Sequence, residues 1–541
     1  MRINANIPAL TSYNALNQTN RSLQKSIQRL STGLRINNAA DDAAGLAISE
    51  KMRAQYRGLG QAASNAQDGI SMIQTADGAL NETQSILIRM RELSVQAATD
   101  TLTQEDRGFI QIEIGQLREE INRIATTTQF NKKQLLDGSA AALWSTGDLY
   151  SRAIINGGLR SVDQFGQKKL NEGNYAISVS FKNGTGQVLK TGIFTLKHSI
   201  GASPAGSIAA LTSSLRDIGS FWDSNGVYLL DEPKTITITQ GDGKAAQFTL
   251  YSTDTIQDLV AKLNAAIGDE SNGLGQNKYI SGPDYAQYVD SAGGTGFLSV
   301  PGTIVIRSAV SGQGGTFSFS GDEDIIKALQ ISQLQAPVEN TFNVSAQDAH
   351  DPSKFSRSAN ITGNILYGVV NSSVDFSFDP MSFISVADAG DGSFTFSAKA
   401  DPKKLYLHLA DNTTVFQIGA NQGEDMGINI GDMSSSALGL GSVKVTDRDS
   451  AARSITLIDR ALNKVSSQRA RLGAYQNRLE HTIGSLTASS ANLQAAESRI
   501  RDTDIAKEMM EFTRLNVLSQ AGMAMLAQAN LLPSNVLNLL R

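Results

Sequence analysis

Residues 458–500 read IDRALNKVSSQRARLGAYQNRLEHTIGSLTASSANLQAAESRI, and this stretch decides the fold of the end of the chain. Apolar residues return at every seventh position without a miss, and no proline occurs from 451 to 532. This repeat is typical of a long helix that packs along one narrow face against partner helices. The apolar residues that form this face, the seam, are Ile458, Val465, Leu472, Leu479, Leu486, Leu493 and Ile500.

The first third of the chain offers matching partner helices. Residues 43–98 carry an apolar stripe at helical spacing. Between 109 and 126, apolar residues recur at steps of four and three, which places them on one helix face. Three amphipathic helices from opposite ends of the chain can cover one another, so we expect an antiparallel coiled-coil bundle. The 109–126 segment adds Ile110, Ile114, Leu117 and Ile121 to the seam.

The outermost segments are more apolar still. One face of the segment before residue 42 is apolar, and the segment from 505 onward is apolar around much of its circumference. A helix that is apolar all round must be buried. Two kinds of partner could bury this helix: another subunit or protein, or the core of the same chain. The residues expected in these terminal contacts are Leu23, Ile27, Leu30, Leu34, Leu515, Leu518, Leu526, Val536 and Leu540.

The middle of the chain has a different composition. Of 48 glycines, only 9 lie in residues 1–140 and only 3 in residues 445–541. Glycine interrupts helices, so the middle is expected to consist of strands and turns. A strand–strand–helix pattern recurs three times, in YAISVSF/GIFTLKH/SIAALTSSLRDI, TITIT/AQFTLY/TIQDLVAKLNAAI and TIVIRS/TFSFS/DIIKALQIS. Turns at Asn183, Gly184 and Gly186 should separate the first two strands. We expect one or two small α+β domains, followed by a β-rich stretch over 338–430.

Composition argues against several classes of function. A net charge of −5 and a pI near 5.6 give no basic surface for nucleic acid, and no apolar run is long enough to span a membrane. The chain has no cysteine, its four histidines are scattered and it has no HExxH motif. The acidic DAGDG and DED stretches fit turn and helix-cap chemistry better than a calcium loop. We therefore expect neither an enzyme nor a cofactor.

Several ordered blocks at both ends resemble the signature blocks of bacterial flagellins. They read LSTGLRINNAADDAAGLAIS at 30–49, TQFNKKQLLDG at 128–138, SRIRDTDIAKEM at 498–509 and AQANLLPSNVLNLLR at 527–541. The stretch FQIGANQGEDMGINIGDMSSSALGL at 416–440 also resembles the segment by which flagellins return from their outer domains. The resemblance covers about the first 140 and the last 125 residues, and the centre shares only a loose strand–strand–helix style.

This resemblance implies an α+β multidomain fold and a structural role. Such proteins polymerise into the flagellar filament for motility, and they leave the cell uncleaved and unfolded through the flagellar type III apparatus. The N-terminus has no apolar core of a conventional signal peptide, which agrees with that route. The expected divisions are an inner-core helix at 1–42, a bundle segment with a β-hairpin at 43–178, variable outer domains at 179–440, a bundle segment at 441–502 and a second inner-core helix at 503–541. The inner-core helices should form the innermost layer, the seam the next and the middle the outer surface.

The resemblance also implies partners: other copies of the chain, an export chaperone, and the cap and hook–filament junction proteins. The animal Toll-like receptor for flagellin contacts an Arg, a Leu and a Glu, which match Arg89, Leu93 and Glu113 here. The same residues could instead stabilise contacts between neighbouring subunits. Two other kinds of protein stay open: a junction or cap-like flagellar component, and an adhesin or enzyme carried on a flagellin scaffold.

Overall fold

The computed structural model describes residues 6–148, 150–162, 168–170, 172–200, 203–280, 282, 284–290, 294–353, 355–369, 373–400 and 404–539; side chains are not described at 160–162, 168–170 and 532–539. The chain divides into two compact units. The first consists of Met1–Ile70, Phe416–Met426 and Gln476–Arg541, and the second of Ser71–Val415 and Gly427–Tyr475.

Long helices occupy both ends of the described chain, as the low glycine content of these segments predicts. An asparagine, Asn6, caps the first helix, and a capping box of Thr103 and Asp106 starts the third, so local sequence signals set these boundaries. The α-helices are α1 Ile7–Thr32, α2 Ala43–Ala97, α3 Gln104–Thr127, α4 Ile256–Gly268, α5 Glu323–Leu329, α6 Arg448–Arg501 and α7 Ile505–Leu539.

The first unit contains two antiparallel helix pairs. The start of α2 runs against the end of α6, where Arg53 Nη2 lies 2.9 Å from Glu497 Oε1. The other pair is α1 with α7, in which Asn6 Nδ2 donates to the carbonyl of Ala529 at 2.9 Å. Residues 416–426 lie on α2, since Asn65 Nδ2 donates to the Gln417 carbonyl at 3.0 Å.

The second unit contains a bundle of α2, α3 and α6. Arg91 Nε lies 2.7 Å from Asp459 Oδ1, and Arg469 Nε lies 2.9 Å from Asp77 Oδ1, so α6 runs antiparallel to α2. Arg107 on α3 donates to the carbonyls of Ala97 and Thr99, which closes the α2–α3 corner. The antiparallel coiled-coil bundle expected from the two chain ends is confirmed.

Short and medium strands fill most of the second unit. The strands are β1 Gln129–Phe130, β2 Lys133–Gln134, β3 Ala142–Thr146, β4 Arg152–Ile155, β5 Arg160–Val162, β6 Lys168–Leu170, β7 Gly173–Lys190, β8 Lys234–Gln240, β9 Ala245–Leu250, β10 Ala286–Tyr288, β11 Ile304–Ser311, β12 Phe317–Gly321, β13 Ser332–Gln335, β14 Val338–Asp348, β15 Ser356–Thr362, β16 Ile365–Leu366, β17 Val374–Ser377, β18 Ile384–Asp388, β19 Phe394–Ala398, β20 Leu405–Asp411, β21 Thr414–Gln417 and β22 Asp425–Ile428.

The largest sheet is organised around β7. Its path runs β10-β11-β7-β14-β15, while β13 and β20 also pair with β7 and β3 pairs with β20. A second sheet has the order β12-β8-β9, and α4 packs on it. Two large apolar clusters form in this region, one around β8, β9 and α4 and the other around β14, β17 and β20, and Val386 and Phe396 pack against both. The β-rich middle and the strands over 338–430 are confirmed.

The first of the three strand–strand–helix units was predicted wrongly. Strand β7 runs unbroken through the expected turn at Asn183, Gly184 and Gly186, and it also crosses the expected division between 178 and 179. Gly186 serves a close strand approach, since a Cβ there would lie 2.5 Å from the Ser308 carbonyl oxygen. Residues 192–198 form only isolated bridges.

The expected helix over 207–218 is reduced to a single 3-10 turn at Leu215–Asp217. Ala209, Leu215 and Ile218 from this segment are buried in the core around β8 and α4. An irregular backbone places these three side chains in the core, so packing overrides the helical spacing.

The other two units contain the predicted elements, but the third has a different pairing. Strands β8 and β9 pair and α4 follows them, as expected. Strands β11 and β12 do not pair with each other: β11 pairs with β7 and β10, and β12 pairs with β8. The alternation of apolar and polar residues determines which face of a strand is buried, but it does not determine which strand pairs with it. This explains why the predicted pairing differs from the observed one.

Candidate functional site

Seam residues in the second unit are interior residues of its helical bundle. Ile110, Ile114 and Ile121 on α3 are buried, and Leu117 is half-buried. Ile458, Val465 and Leu472 on α6 are also buried. These positions therefore build the scaffold of the chain and offer little surface to another molecule.

The seam continues along α6 in the first unit. Leu479 and Leu486 are buried, whereas Leu493 and Ile500 are half-buried. Ion pairs flank this part of the helix, because Glu50 pairs with Arg501 and Arg53 pairs with Glu497. The seam residues are therefore less deeply buried toward the end of α6.

Between α1 and α7 lies a narrow contact line of small and polar groups. Leu16 packs on Gly522, where a Cβ would lie 3.2 Å from Leu16 Cδ1. The Ser519 hydroxyl lies 3.0 Å from Asn20 Oδ1, and Leu515 is buried. Such a line fixes the antiparallel register while it leaves most apolar side chains of α7 on other faces.

The residues expected in the terminal contacts differ in how exposed their side chains are. Leu23, Leu30, Leu34 and Leu526 are half-buried, whereas Ile27 and Leu518 are exposed. Val536 lies in the part of α7 whose side chains are not described, and Leu540 lies outside the described residues. Only one side of each terminal helix is therefore covered by the other helix.

A continuous apolar face points away from the α1–α7 contact. Met510, the most exposed of its large apolar residues, is 68% exposed. Met509, Met510, Thr513, Arg514, Val517 and Leu518 line a shallow groove along α7. We call this the α7 apolar face. The exposed large apolar residues of α1 and α7 are Ile7, Leu10, Tyr13, Ile27, Ile505, Met509, Met510, Val517, Leu518, Met523, Met525 and Leu531.

The α1–α2 joint is organised by two neighbouring aspartates with separate roles. Asp42 Oδ1 accepts from the Gly45 amide at 2.8 Å, as an N-cap of α2 does. Asp41 accepts from the amides of Asn37 and Asn38, and it lies 3.4 Å from Lys25 Nζ on α1. The Asn38 amide, with smaller contributions from Asn37 and Lys25, holds the pKa of Asp41 below its ordinary value despite an opposing effect of burial.

Arg89 and Glu113 form an exposed ion pair across α2 and α3. Arg89 Nη2 lies 2.9 Å from Glu113 Oε1, and Arg89 Nη1 lies 3.5 Å from Glu92 Oε2. The Glu113 carboxylate raises the pKa of Arg89. Leu93, grouped with this pair from the sequence, is only 2% exposed and belongs to the interior of the bundle.

Sequence reasoning missed a set of exposed apolar residues on α2 and α3. Ile88, Val95, Phe109 and Ile112 are all exposed. They lie out of phase with the buried stripes of their helices, so the signal was present in the sequence as apolar residues off the periodic face. These side chains form a further candidate contact surface.

Within the described residues, no group of three or more His, Cys, Asp or Glu side chains is arranged to hold a metal ion. The acidic DAGDG stretch is a turn between β18 and β19, in which Asp391 Oδ1 accepts from Ser393. In the same part of the chain, no helix has an apolar stretch sufficient to cross a membrane.

Comparison with known proteins gives a consistent result at both ends of the chain. A family model described as the bacterial flagellin N-terminal helical region matches residues 3–141, and one described as the C-terminal helical region matches residues 455–540. A flagellin of Clostridium tyrobutyricum is 33% identical over 530 residues, which cover 98% of this chain and 99% of that protein. The chain belongs to the flagellin family.

Another flagellin, from Bacillus subtilis, is 31% identical and covers 100% of both chains. Among solved structures, FliC from Burkholderia pseudomallei covers 76% of this chain and 99% of that chain, at 17% identity and a TM-score of 0.20. As a flagellin, this chain is a structural subunit of the flagellar filament and not an enzyme. Its location is the flagellum.

Proposed function

We propose that the chain polymerises through the apolar faces of α1 and α7 that point away from their mutual contact. The observation that carries this proposal is the exposure of large apolar side chains along both helices, with Met510 at 68%. Monomeric soluble proteins rarely expose contiguous apolar patches of this kind. Other copies of the same chain are the occupants that cover these faces.

Energetics support a shared interface. Fully burying one large apolar side chain stabilises by about 1.5–3 kcal/mol, so several half-exposed residues together provide a substantial driving force for association. The sequence left two alternatives for burying the terminal helix, and each accounts for part of its surface. Helix α1 covers one side of α7, and other subunits cover the α7 apolar face. The same faces, at the ends of the filament, would meet the cap and junction proteins.

A single charge on the α7 apolar face tests this proposal. Val517→Glu should leave the α1–α7 contact at Leu515 and Ser519 intact, because Val517 is exposed, yet it should prevent filament growth. Gln520→Glu adds the same charge at an exposed polar position of the same helix and serves as the matched control. Electron microscopy and sedimentation at high salt measure the outcome. Filaments of normal length and yield from the Val517→Glu variant would overturn the assignment.

Before export and assembly, the α7 apolar face would need a binding partner that covers it. The flagellar type III apparatus passes unfolded chains, and the α7 apolar face is the surface we assign to the export chaperone. Binding of purified chaperone to monomer, measured by titration calorimetry, should weaken at least tenfold in Met510→Glu. Unchanged affinity in that variant would place the chaperone elsewhere.

A second interaction is proposed for the exposed Arg89–Glu113 pair. The pair and the exposed Phe109 and Ile112 beside it on α3 offer charge and apolar surface on the same helices. We assign this surface to the innate receptor for flagellin in the monomer and to a neighbouring subunit in the filament. Receptor binding that is unchanged in Arg89→Ala would exclude the first role. Leu93→Ala is a poor probe because Leu93 is buried and its truncation perturbs the bundle.

A further inference from the structure

Lys444 is a buried lysine just before α6, in the second unit. The residue is 7% exposed, and its backbone amide and carbonyl are both bonded to the Ser454 hydroxyl. Its side chain lines two adjoining cavities of about 420 and 680 Å³. Lysines are almost never buried this far unless their charge is paired.

Among the described residues, none forms a hydrogen bond or an ion pair with the Lys444 ammonium group. A half-buried lysine in the same unit provides a comparison: Lys464 Nζ donates to the Ala437 carbonyl at 2.8 Å. Lys444 differs from it, since Lys444 lines the two cavities and has no acceptor for its ammonium group in the part of the chain that the structure describes.

The acidic groups nearby are engaged elsewhere. Asp447 Oδ1 accepts from the Ser450 amide at 2.8 Å as the cap of α6, and Asp242 lies 3.8 Å from Lys244 Nζ in the β8–β9 turn. Asp449, in the first turn of α6, is exposed. Burial lowers the pKa of Lys444 to about 8, although Asp242 and Asp447 act in the opposite direction. Glu339 and Asp379 also line the larger cavity, where they accept from the amides of Gln313 and Met381. The pKa of Lys444 stays below its ordinary value, so Asp242 and Asp447 compensate the lysine charge only in part.

Arg453 adds a second cationic group to the same space. It lines both cavities together with Lys444, and its Nη2 donates to the Ser450 hydroxyl at 2.9 Å. Arg453 is an exposed residue, and no carboxylate within the described residues forms an ion pair with it. A guanidinium has five donors in a planar fork, so donors remain for a ligand with two oxygens.

We propose that the cavity beside Lys444 binds a small oxyanion, a phosphate or a carboxylate, between the Lys444 ammonium and the Arg453 guanidinium. An oxyanion provides the missing counter-charge and accepts hydrogen bonds from both groups, which are stronger when both partners are charged. The cavity wall opposite α6 includes Gly241 and Gln313, in the turns after β8 and β11. Bound anion would therefore link the start of α6 to the β-rich part of the same unit.

Oxyanion-dependent stability of the monomer tests the proposal. Inorganic phosphate and acetate are each compared with chloride at matched ionic strength, while unfolding is followed in denaturant. At an anion concentration of 100 times Kd, the unfolding equilibrium constant should fall about 100-fold. The larger effect identifies the group, phosphate or carboxylate, that the site prefers. Titration calorimetry should give one site per chain.

Lys444→Met should abolish this saturable response, and Arg453→Gln should weaken it at least tenfold. Lys182→Met removes an exposed lysine from β7 and serves as the matched control, which should respond as the wild type does. The proposal is overturned if neither anion stabilises the wild type beyond chloride. It is equally overturned if Lys444→Met retains the wild-type response.

Discussion

At the residue scale, the buried Lys444 and the half-buried Lys464 show how one hydrogen-bond acceptor changes the effect of a lysine charge. Burial lowers the pKa of both Lys444 and Lys464. Lys464 donates to a carbonyl, whereas Lys444 has no such acceptor among the described residues. A buried charge without a partner destabilises the fold, because no protein dipole replaces the water that it loses.

Lys444→Met should therefore stabilise the protein at neutral pH in chloride buffer. The folded-state pKa of about 8 lies below the ordinary value of 10.5, so the lysine lowers stability fully at pH values below about 8 and progressively less between pH 8 and 10.5. The gain is at most about 3 kcal/mol, from about 1.4 kcal/mol per pKa unit. Denaturant unfolding should show the gain shrinking as pH rises from 8 toward 10.5.

Lys464→Met is the comparison variant, since it removes a half-buried lysine that has a hydrogen-bond acceptor. It should give a smaller gain or a loss of stability, because the Ala437 carbonyl loses its donor. Equal stabilisation by both substitutions, or a gain from Lys444→Met that does not change with pH, would contradict the explanation.

Asp42 allows a second test at the residue scale. Asp42→Ala removes the acceptor of the Gly45 amide and should destabilise the start of α2 by about 1 kcal/mol. Asp42→Asn keeps a side-chain oxygen at the cap and should have a much smaller effect. Thermal unfolding of the two variants measures the difference, and an equal loss in both would show that the carboxylate charge, and not the cap hydrogen bond, is what stabilises the joint.

At the element scale, α6 shows what a sequence repeat predicts well. The seven-residue repeat correctly indicated a long helix and its buried face, because periodicity depends only on local geometry. The same reasoning failed for β7, in which glycines that suggested a turn instead permit a close strand approach. The neighbouring residue types do not show whether a glycine forms a turn or allows another strand to approach closely.

Leu479→Asp should destabilise the first unit and abolish polymerisation. Leu479 is buried in the seam, and a carboxylate there would lose its hydration without gaining a partner. The loss should be at least about 2 kcal/mol, the lower range for truncation of a buried leucine. Ala488→Asp places the same charge on the exposed face of α6 and should have little effect on folding. Circular dichroism and filament yield measure both variants, and normal filaments from Leu479→Asp would show that the seam is misplaced.

At the scale of the whole molecule, the terminal helices contact each other and still leave apolar side chains exposed. The antiparallel register of α1 and α7 is held by Asn6 with Ala529 and by Asn20 with Ser519. Leu16 and Leu515 also lie in this contact, but many large apolar side chains of both helices remain exposed outside it. This exposed apolar surface is the one through which we propose that copies of the chain assemble.

Deletion of residues 527–541 should yield soluble monomer. The deletion removes the exposed Leu531 and the Ala529 carbonyl that binds Asn6, while Leu515 and Ser519 keep their places on α1. Helical content per residue, measured by circular dichroism, should therefore change little, whereas sedimentation at high salt should show no filaments. Filament growth by the shortened chain would mean that the remaining apolar surface suffices for assembly.

The sequence by itself determined the helical ends, the buried faces of α2, α3 and α6, the β-rich middle and the family. These features follow from periodicity, glycine content and ordered blocks of residues, all of which are local. The tertiary structure was needed to show that β7 is one strand, that β12 pairs with β8, that Leu93 is buried and that Lys444 has no acceptor among the described residues. Each of these features depends on which distant segments of the chain contact each other. A local sequence pattern predicts which side of an element is apolar, but it does not predict which segment packs against that side.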